Sequence, residues 1–286
     1  MKRATRRKDS IYRSPTGRAA IRRWCLAQLD EWPVSHERTE IIANDADTHV
    51  VTAGSGATTV VFVPGTNFNA AASLPIATAL VMAGYRVVLP DVPGQPGLSS
   101  GQRELSGGRL SWYGAWLSEV MEKAPVESAV VMGHSFGAAI ALSSASPQIE
   151  RLVLVSPGGM TRLQLTPGLL GAWVAWTVRP APSHSARLLR VMHAPGIQPR
   201  PELVEWMTLV ARHARSSGDP GAADLPKRTA PRLVVSGERD VFLPPRKLGP
   251  AVRRKLGNDL GVIAGAGHLV VEENPEYLAG LVGSGP

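Results

Sequence analysis

A serine near the middle of the chain has the surroundings of a catalytic nucleophile. Residues 130–139 read VVMGHSFGAA, so an apolar strand runs into Gly-His-Ser-Phe-Gly and then into small residues typical of a packed helix. Gly133 and Gly137 leave room for a sharp strand-to-helix turn that holds Ser135 in a strained conformation above the sheet edge. The amides at the start of the following helix favour a developing negative charge. The pattern predicts that Ser135 is a nucleophile.

A serine hydroxyl needs a base, and the sequence offers one in the expected chain order. His268 follows a late predicted strand in the flexible loop Ala-Gly-Ala-Gly-His. Two acids, Glu238 and Asp240, follow the preceding buried strand. We favour Asp240 as the acid that orients His268, because it lies farther past the strand end, and Glu238 is the alternative. The predicted triad is therefore Ser135, Asp240 and His268.

The other polar motifs do not indicate a cofactor. His184, His193 and His213 lack the spacing of metal ligands, and we expect solvated helix histidines there. The glycines of the segment 94–97 lack the lysine and the spacing of a phosphate-binding loop, which favours a simple turn. The sequence therefore predicts neither a metal nor an organic cofactor.

The candidate residues all follow predicted strands of an alternating α/β pattern. Active-site residues of a mostly parallel sheet belong at the carboxyl ends of its strands. The predicted strands are Thr48–Ala53, Thr59–Val63, Tyr85–Leu89, Val130–Met132, Leu152–Val155, Leu233–Val235 and Leu260–Ile263, and the predicted helices between them include Thr16–Glu31, Ala71–Ala83 and Leu110–Lys123.

A long insertion interrupts the alternation after the strand that ends near Ser156. It is rich in proline and glycine, lacks strand-like alternation and has helical patches at Leu169–Val178, Ser185–Met192 and Glu202–Ala214. We expect residues 161–230 to form a helical cap over the strand ends, and residues 16–160 and 231–286 to form the core.

The motifs together resemble the α/β-hydrolase fold, in particular its esterase- and lipase-like members with an inserted cap. The matching segments are Val63–Asn67, Asp91–Ser99, Gly133–Gly137, Gly237–Asp240 and Gly265–His268. The resemblance implies an α/β protein with a mostly parallel central sheet flanked by helices and a helical cap after the sixth strand. It also implies an oxyanion hole formed by the N–H groups of Thr66 and Phe136. Asn67 N–H is the alternative donor, since Pro64 replaces the histidine often found in the first segment.

Aromatic residues near these loops and in the insertion predict an apolar substrate pocket. The candidate lining residues are Asn67, Phe68, Trp173, Trp176, Trp206 and Phe242. We expect a serine hydrolase that cleaves an ester of an apolar small molecule. The alternatives are a thioesterase acting on carrier or coenzyme A thioesters, a C–C bond hydrolase or lactonase, and, least compatible with an intact triad, a non-catalytic binding module.

The charge of the chain is concentrated at its beginning. Residues 1–23 carry nine Lys and Arg against one Asp, which equals the net charge of +8 of the whole sequence. We expect a disordered tail over residues 1–15 rather than a nucleic-acid-binding face. Cys25 is the only cysteine, and the sequence has neither a signal-peptide-like stretch nor an apolar run long enough to span a membrane. These features predict a cytoplasmic protein, and they leave its oligomeric state open.

Overall fold

The computed structural model describes residues 10–102, 108–124, 126–218, 221–223, 225–226 and 230–283. Residues 1–9 of the predicted tail lie outside this range. The described chain folds around one central sheet with helices on both faces, as the alternating pattern predicted.

The sheet contains eight strands within the described residues, and most of them run parallel. In sheet order, β1 and β2 pair antiparallel, β2 and β4 pair antiparallel, and β4, β3, β5, β6, β7 and β8 follow as parallel neighbours. The central strands are short apolar runs buried on both faces, as expected where helices cover both sides of a parallel sheet. The strands are β1 His36–Ala43, β2 Ala46–Ala53, β3 Thr59–Val63, β4 Arg86–Pro90, β5 Ala129–His134, β6 Ile149–Val155, β7 Arg232–Gly237 and β8 Gly261–Ile263.

Ten α-helices are found among the described residues. The helix predicted over 71–83, with Pro75 as an indication that it starts near that residue, does begin at Leu74, and a 3-10 turn at Ala71–Ser73 precedes it. The helices are α1 Pro15–Asp30, α2 Leu74–Met82, α3 Arg109–Lys123, α4 Phe136–Ser143, α5 Pro167–Val178, α6 Pro182–Met192, α7 Pro201–His213, α8 Pro245–Leu256, α9 Val270–Glu273 and α10 Pro275–Gly283. No helix in this part of the chain is both long and apolar enough to cross a bilayer.

Strand β1 and helices α8, α9 and α10 are present although the sequence pattern did not indicate them. Strand β1 reads HERTEIIA and is mostly exposed, because it is an edge strand that pairs only with β2. Its charged residues hide the alternation expected of a half-buried strand, and they also suit an exposed edge. Helix α8 forms despite an internal Pro250, because its inner residues Leu248, Ala251 and Val252 are buried against the core.

Helices α5, α6 and α7 lie between β6 and β7, where the insertion was predicted. Residues 161–230 are called the inserted segment below. Helix α7 packs against α1, where the rings of Trp24 and Trp206 lie 4.7 Å apart. Trp24 Nε1 also donates to Glu205 Oε2 at 3.1 Å. The inserted segment is therefore attached to the N-terminal helix.

The predicted tail of residues 1–15 is too long, because its last residues are packed. Ile11 and Tyr12 are buried, and the Tyr12 hydroxyl donates to Gly97 O at 3.0 Å. Arg215 N–H, at the end of the inserted segment, donates to Ile11 O at 2.8 Å. The chain ahead of α1 thus connects the inserted segment to the loop that follows β4.

Candidate active site

The turn between β5 and α4 holds Ser135 in a strained backbone conformation. Ser135 has φ 52° and ψ −109°, a region that non-glycine residues rarely adopt. A Cβ on Gly133 would lie 2.6 Å from Ala138 Cα, and one on Gly137 would overlap the carbonyl oxygen of Val63. Both neighbours of the turn must therefore be glycine, as the sequence motif indicated. The turn leaves the Ser135 side chain partly exposed at the carboxyl edge of the sheet.

Ser135, His268 and Asp240 form one hydrogen-bonded chain. His268 Nε2 lies 3.2 Å from Ser135 Oγ, and His268 Nδ1 lies 2.9 Å from Asp240 Oδ2. The histidine and the aspartate are buried, whereas the serine is only half-buried. When Nδ1 carries the proton and donates to the carboxylate, Nε2 is free to accept the serine proton.

The environment of Asp240 keeps its carboxylate ionised. Burial alone would raise the pKa of Asp240, but His268 and the N–H group of Leu243 outweigh burial and hold this pKa well below its usual range. Asp240 Oδ1 accepts hydrogen bonds from Phe242 N–H at 2.9 Å and Leu243 N–H at 2.8 Å. The carboxylate is therefore fixed by the backbone of its own loop, with Oδ2 turned toward the imidazole.

The alternative acid, Glu238, lies elsewhere on the same loop. Its side chain is about half exposed, and it accepts a hydrogen bond from Gly265 N–H at 3.1 Å. It also lies 3.6 Å from the guanidinium of Arg239. The structure thus brings Asp240, and not Glu238, into contact with His268.

Two backbone N–H groups next to the serine are free to receive a negative oxygen. Within the described residues, neither Thr66 N–H nor Phe136 N–H has a hydrogen-bond partner. Asn67 N–H, the alternative donor, already donates to Gln95 Oε1 at 3.0 Å. Phe68 N–H closes the turn after β3 by donating to Gly65 O at 3.0 Å. The hydrogen bonds thus leave available the pair that the family resemblance implied, and its role as an oxyanion hole stays a prediction.

His134 supports the loop of His268 from below, a role that its position in the sequence did not reveal. Its Nε2 lies 2.9 Å from the backbone oxygen of His268. Burial, with a smaller contribution from the charge of His268, lowers the pKa of His134 to about 3. A neutral His134 can therefore donate its Nε2 proton to that carbonyl and fix the loop. Gly65 packs on the ring, since a Cβ there would lie 3.0 Å from His134 Nδ1.

The His268 loop is also bonded directly to the inserted segment. His268 N–H donates to Met192 O, at the end of α6, over 2.8 Å. Gly267 presses on the same turn, because a Cβ there would lie 2.6 Å from Met192 O and 2.6 Å from Ala194 N. The backbone of α6 therefore supports one side of the His268 loop.

Glu273 joins these two backbones through its carboxylate. Its Oε2 accepts from Gly267 N–H at 2.8 Å and its Oε1 from Ala194 N–H at 3.2 Å. Oε2 of the neighbouring Glu272 accepts a hydrogen bond from Arg200 Nε at 2.8 Å, which fixes the beginning of α7. Sequence motifs gave no signal for these contacts, since they join segments that are far apart in the chain.

The predicted pocket residues fall into two groups. Phe242 lies at the triad, with its ring 4.7 Å from that of His268. Asn67 and Phe68 are buried in the turn after β3, and Trp206 Nε1 donates to Asn67 O at 2.8 Å. Trp206 is completely buried, so this tryptophan connects α7 to the oxyanion turn.

The other two tryptophans are placed differently. Trp176 is buried inside the inserted segment, where Nε1 donates to Met207 O at 2.9 Å. Trp173, also predicted to line the pocket, is 47% exposed on the surface of α5, and this role stays a prediction. Helix α5 buries Leu169, Ala172 and Trp176 on its inner face instead.

The comparison with known sequences identifies the family. Residues 60–281 match the sequence model of the alpha/beta hydrolase family, and the chain belongs to this family. The matched range contains every residue of the hydrogen-bonded chain and both free N–H groups. The family membership confirms the fold class predicted from the motifs and identifies the protein as a hydrolase.

Individual relatives include both ester and C–C bond hydrolases. The 2-hydroxy-6-oxononadienedioate/2-hydroxy-6-oxononatrienedioate hydrolase of Cupriavidus pinatubonensis is 28% identical over 241 residues, which cover 71% of this chain and 79% of that protein. Carboxylesterase CesB of Bacillus subtilis is similar in structure, with a TM-score of 0.74, 17% identity and coverage of 93% and 97%. The 2-hydroxy-6-oxo-6-phenylhexa-2,4-dienoate hydrolase of Rhodococcus sp. strain RHA1 gives a TM-score of 0.65, 19% identity and coverage of 87% and 97%.

Proposed function

We propose that this hydrolase cleaves an ester of an apolar small molecule through an acyl-enzyme on Ser135. The observation that carries the proposal is the hydrogen-bonded chain from Ser135 through His268 to Asp240, beside two unpartnered N–H groups. A nucleophile, a base, an orienting acid and an oxyanion site are the parts that acyl transfer needs. The contact of Phe242 with His268 supports an apolar substrate group near the reacting carbonyl.

Each step of the reaction has an assigned group. Ser135 Oγ attacks the ester carbonyl while His268 Nε2 takes the hydroxyl proton, and Asp240 stabilises the resulting imidazolium. The N–H groups of Thr66 and Phe136 hold the oxyanion of the tetrahedral intermediate. The intermediate collapses to the acyl-enzyme, and His268 returns the proton to the departing alkoxide. Water then repeats the sequence, releases the carboxylic acid and restores Ser135.

A fluorophosphonate probe tests the nucleophile without knowledge of the substrate. We expect the probe to label the wild-type chain at Ser135 and to leave Ser135→Ala unlabelled. Turnover of p-nitrophenyl esters of graded acyl length should disappear with the label, by about 10³- to 10⁶-fold in kcat. A Ser135→Ala protein that retains wild-type turnover would rule out the mechanism.

The acid is tested by a matched pair of substitutions on one loop. Asp240→Asn removes the charge that stabilises the imidazolium, and we expect kcat to fall by about 10³-fold or more. Glu238→Gln is the control, because Glu238 contacts Gly265 and Arg239 rather than the imidazole, and its effect should be small. A silent Asp240→Asn with an inactive Glu238→Gln would reverse the assignment.

The relatives support a second candidate, hydrolysis of a C–C bond. The curated relative and one structural neighbour are named as hydrolases of 2-hydroxy-6-oxo-dienoates. Such substrates end in a carboxylate, unlike the apolar esters proposed above. A parallel assay with a 2-hydroxy-6-oxo-dienoate and with p-nitrophenyl esters separates the two. A kcat/KM that is much higher for the dienoate would replace the ester assignment while leaving the role of Ser135 open to the probe experiment.

A further inference from the structure

Helix α5 presents an apolar face to the outside of the protein. Its sequence PGLLGAWVAWTV contains no charged residue, although one side of the helix is exposed. Five of the twelve exposed large hydrophobic residues of the described chain lie between 165 and 178, and they are Leu165, Leu170, Trp173, Val174 and Val178. A surface helix normally turns polar residues outward, and a contiguous apolar patch usually marks a binding surface. We call these five residues the α5 face.

Basic residues lie next to the α5 face. The shallow groove along α5 is lined by Leu170, Val174 and Val178 of the face, and also by Arg179 and His184. The sequence has no acidic residue between Glu150 and Glu202, whereas Arg162, Arg179, Arg187 and Arg190 are exposed there. Helix α6, which carries two of these arginines, packs beside α5. The face is therefore an apolar patch with Arg179 at its end and two exposed arginines on the helix beside it.

We infer that the α5 face docks on the surface of an anionic lipid bilayer. Helices that lie in a membrane interface combine an apolar face, a tryptophan near its edge and basic residues that meet the anionic headgroups. Nearby Lys and Arg add electrostatic attraction to such a surface. The α5 face provides the apolar residues and the tryptophan, and the nearby arginines provide the positive charge.

The charges also argue against a second copy of the chain as the occupant. A two-fold contact would place the same patch on both subunits and bring the arginines of one copy close to those of the other. Like charges brought close together repel each other, and neither α5 nor α6 carries a carboxylate that could pair with the arginines of the other copy. A bilayer that contains acidic lipids supplies the missing negative charge.

Sedimentation with lipid vesicles tests the inference on the full chain. We would use Ser135→Ala protein, so that no lipid is hydrolysed and the result does not depend on the proposed activity. The protein should sediment with phosphatidylcholine vesicles that contain phosphatidylglycerol and remain in solution with phosphatidylcholine alone. High salt should weaken the binding, since salt screens the arginines.

Substitutions locate the binding surface. Trp173→Ser combined with Val178→Ser should reduce the apparent affinity by about tenfold or more, because both side chains would leave the lipid phase. Arg179→Gln should reduce it by about fivefold through the loss of one charge at the surface. Met82→Ser is the matched control, because Met82 is an exposed apolar residue on α2, outside the face, and its removal should have no effect.

Two further measurements distinguish lipid binding by the α5 face from binding by the N-terminal segment and from dimer formation. Residues 1–9 contain five Lys and Arg and could attract anionic lipid themselves, so a variant that lacks them is tested in the same assay. We expect it to keep the dependence on Trp173 and Val178. The inference is overturned if wild-type protein ignores the vesicles, if removal of residues 1–9 alone abolishes binding, or if ultracentrifugation shows a dimer that the α5 substitutions convert to a monomer.

Discussion

The two sides of the inserted segment differ in their contacts. On the inner side, the end of α6 is bonded to the loop of His268. Helix α7 is bonded through Trp206 to the turn after β3 and packs against α1. On the outer side, α5 exposes the apolar side chains of the α5 face. The same insertion thus has one side bonded to the candidate active site and another side that is exposed.

The bonds on the inner side limit how the inserted segment can move. A lid that opened as one body would break the bond from His268 N–H to Met192 O and disturb the triad. The end of α6 therefore holds the loop of the proposed catalytic base, and we expect any opening for substrate in a part of the segment that lacks such bonds. Substitutions chosen in pairs, one on each side, can test this difference.

The largest effect is expected from adding a methyl group on the inner side. Gly267→Ala would push a Cβ to 2.6 Å from Met192 O and so displace the neighbouring His268. A displacement of about 1 Å at a catalytic group can cost about 100-fold in rate. The rate of labelling by a fluorophosphonate measures the loss without a known substrate.

Gly171→Ala is the corresponding change on the outer side. A Cβ at Gly171 meets nothing within 4 Å, and alanine favours a helix over glycine by up to about 1 kcal/mol. We expect unchanged labelling and a slightly higher free energy of unfolding. Equal labelling rates for the two variants would show that the inner contact is not needed for catalysis.

The next effect separates two tryptophans of the insertion. Trp206→Ala removes a completely buried ring, its contact with Trp24 and its bond to Asn67 O, and should cost about 3 to 5 kcal/mol of unfolding free energy. Trp173→Ala should stay within about 0.5 kcal/mol, because that ring is half exposed. Urea denaturation of both variants measures the difference, and similar losses would contradict it.

Truncation of the N-terminus tests the attachment of the inserted segment to the core. Removal of residues 1–13 deletes the buried Ile11 and Tyr12, and loss of one buried aliphatic side chain typically costs about 2 to 5 kcal/mol. We therefore expect Tm to fall by several degrees. Removal of residues 1–9 alone is the control and should leave Tm close to that of the full chain. If both truncations behave alike, the contacts of residues 10–13 do not stabilise the fold.

The smallest predicted effect is a pH dependence that originates below the His268 loop. The folded-state pKa of His134 is about 3, below its unfolded value of about 6.5, so protonation favours the unfolded chain. Stability should therefore fall as pH decreases below about 6.5, by up to about 1.4 kcal/mol per pH unit. His134→Asn should flatten this slope. Denaturation between about pH 5 and 6.5 avoids the carboxylate of Asp240, whose lowered pKa acts only at more acidic pH.

The sequence predicted the parts of the site that local chemistry requires. The turn at Ser135 needs glycines at fixed spacing, and the order of Ser135, Asp240 and His268 follows the order of the strands that carry them. The family match confirms the fold class, and the structure joins these three residues by hydrogen bonds. Their catalytic role stays a prediction until the probe experiment is done.

The sequence could not predict contacts that depend on how distant segments meet. Glu273 and Met192 belong to no sequence motif, because their role depends on their contacts with Gly267 in the folded chain. Tyr12 was assigned to a tail from the positive charge and the lack of apolar periodicity around it, since the loop that buries it is more than eighty residues away. Trp173 and Trp176 have the same residue type and neighbouring positions, and only the packing of α5 decides which one is exposed.

The fit of Gly267 against the end of α6 also limits how this enzyme can be recombined with its relatives. A chimera that takes only the insertion from another hydrolase would bring a new α6 terminus to a loop shaped for Met192 and Ala194. The crossover points would have to include residues 265–273, so that the glycine and its partner glutamate travel with the helix they contact. Exchange of residues 161–230 alone would therefore separate Gly267 and Glu273 from the end of α6 with which they pack.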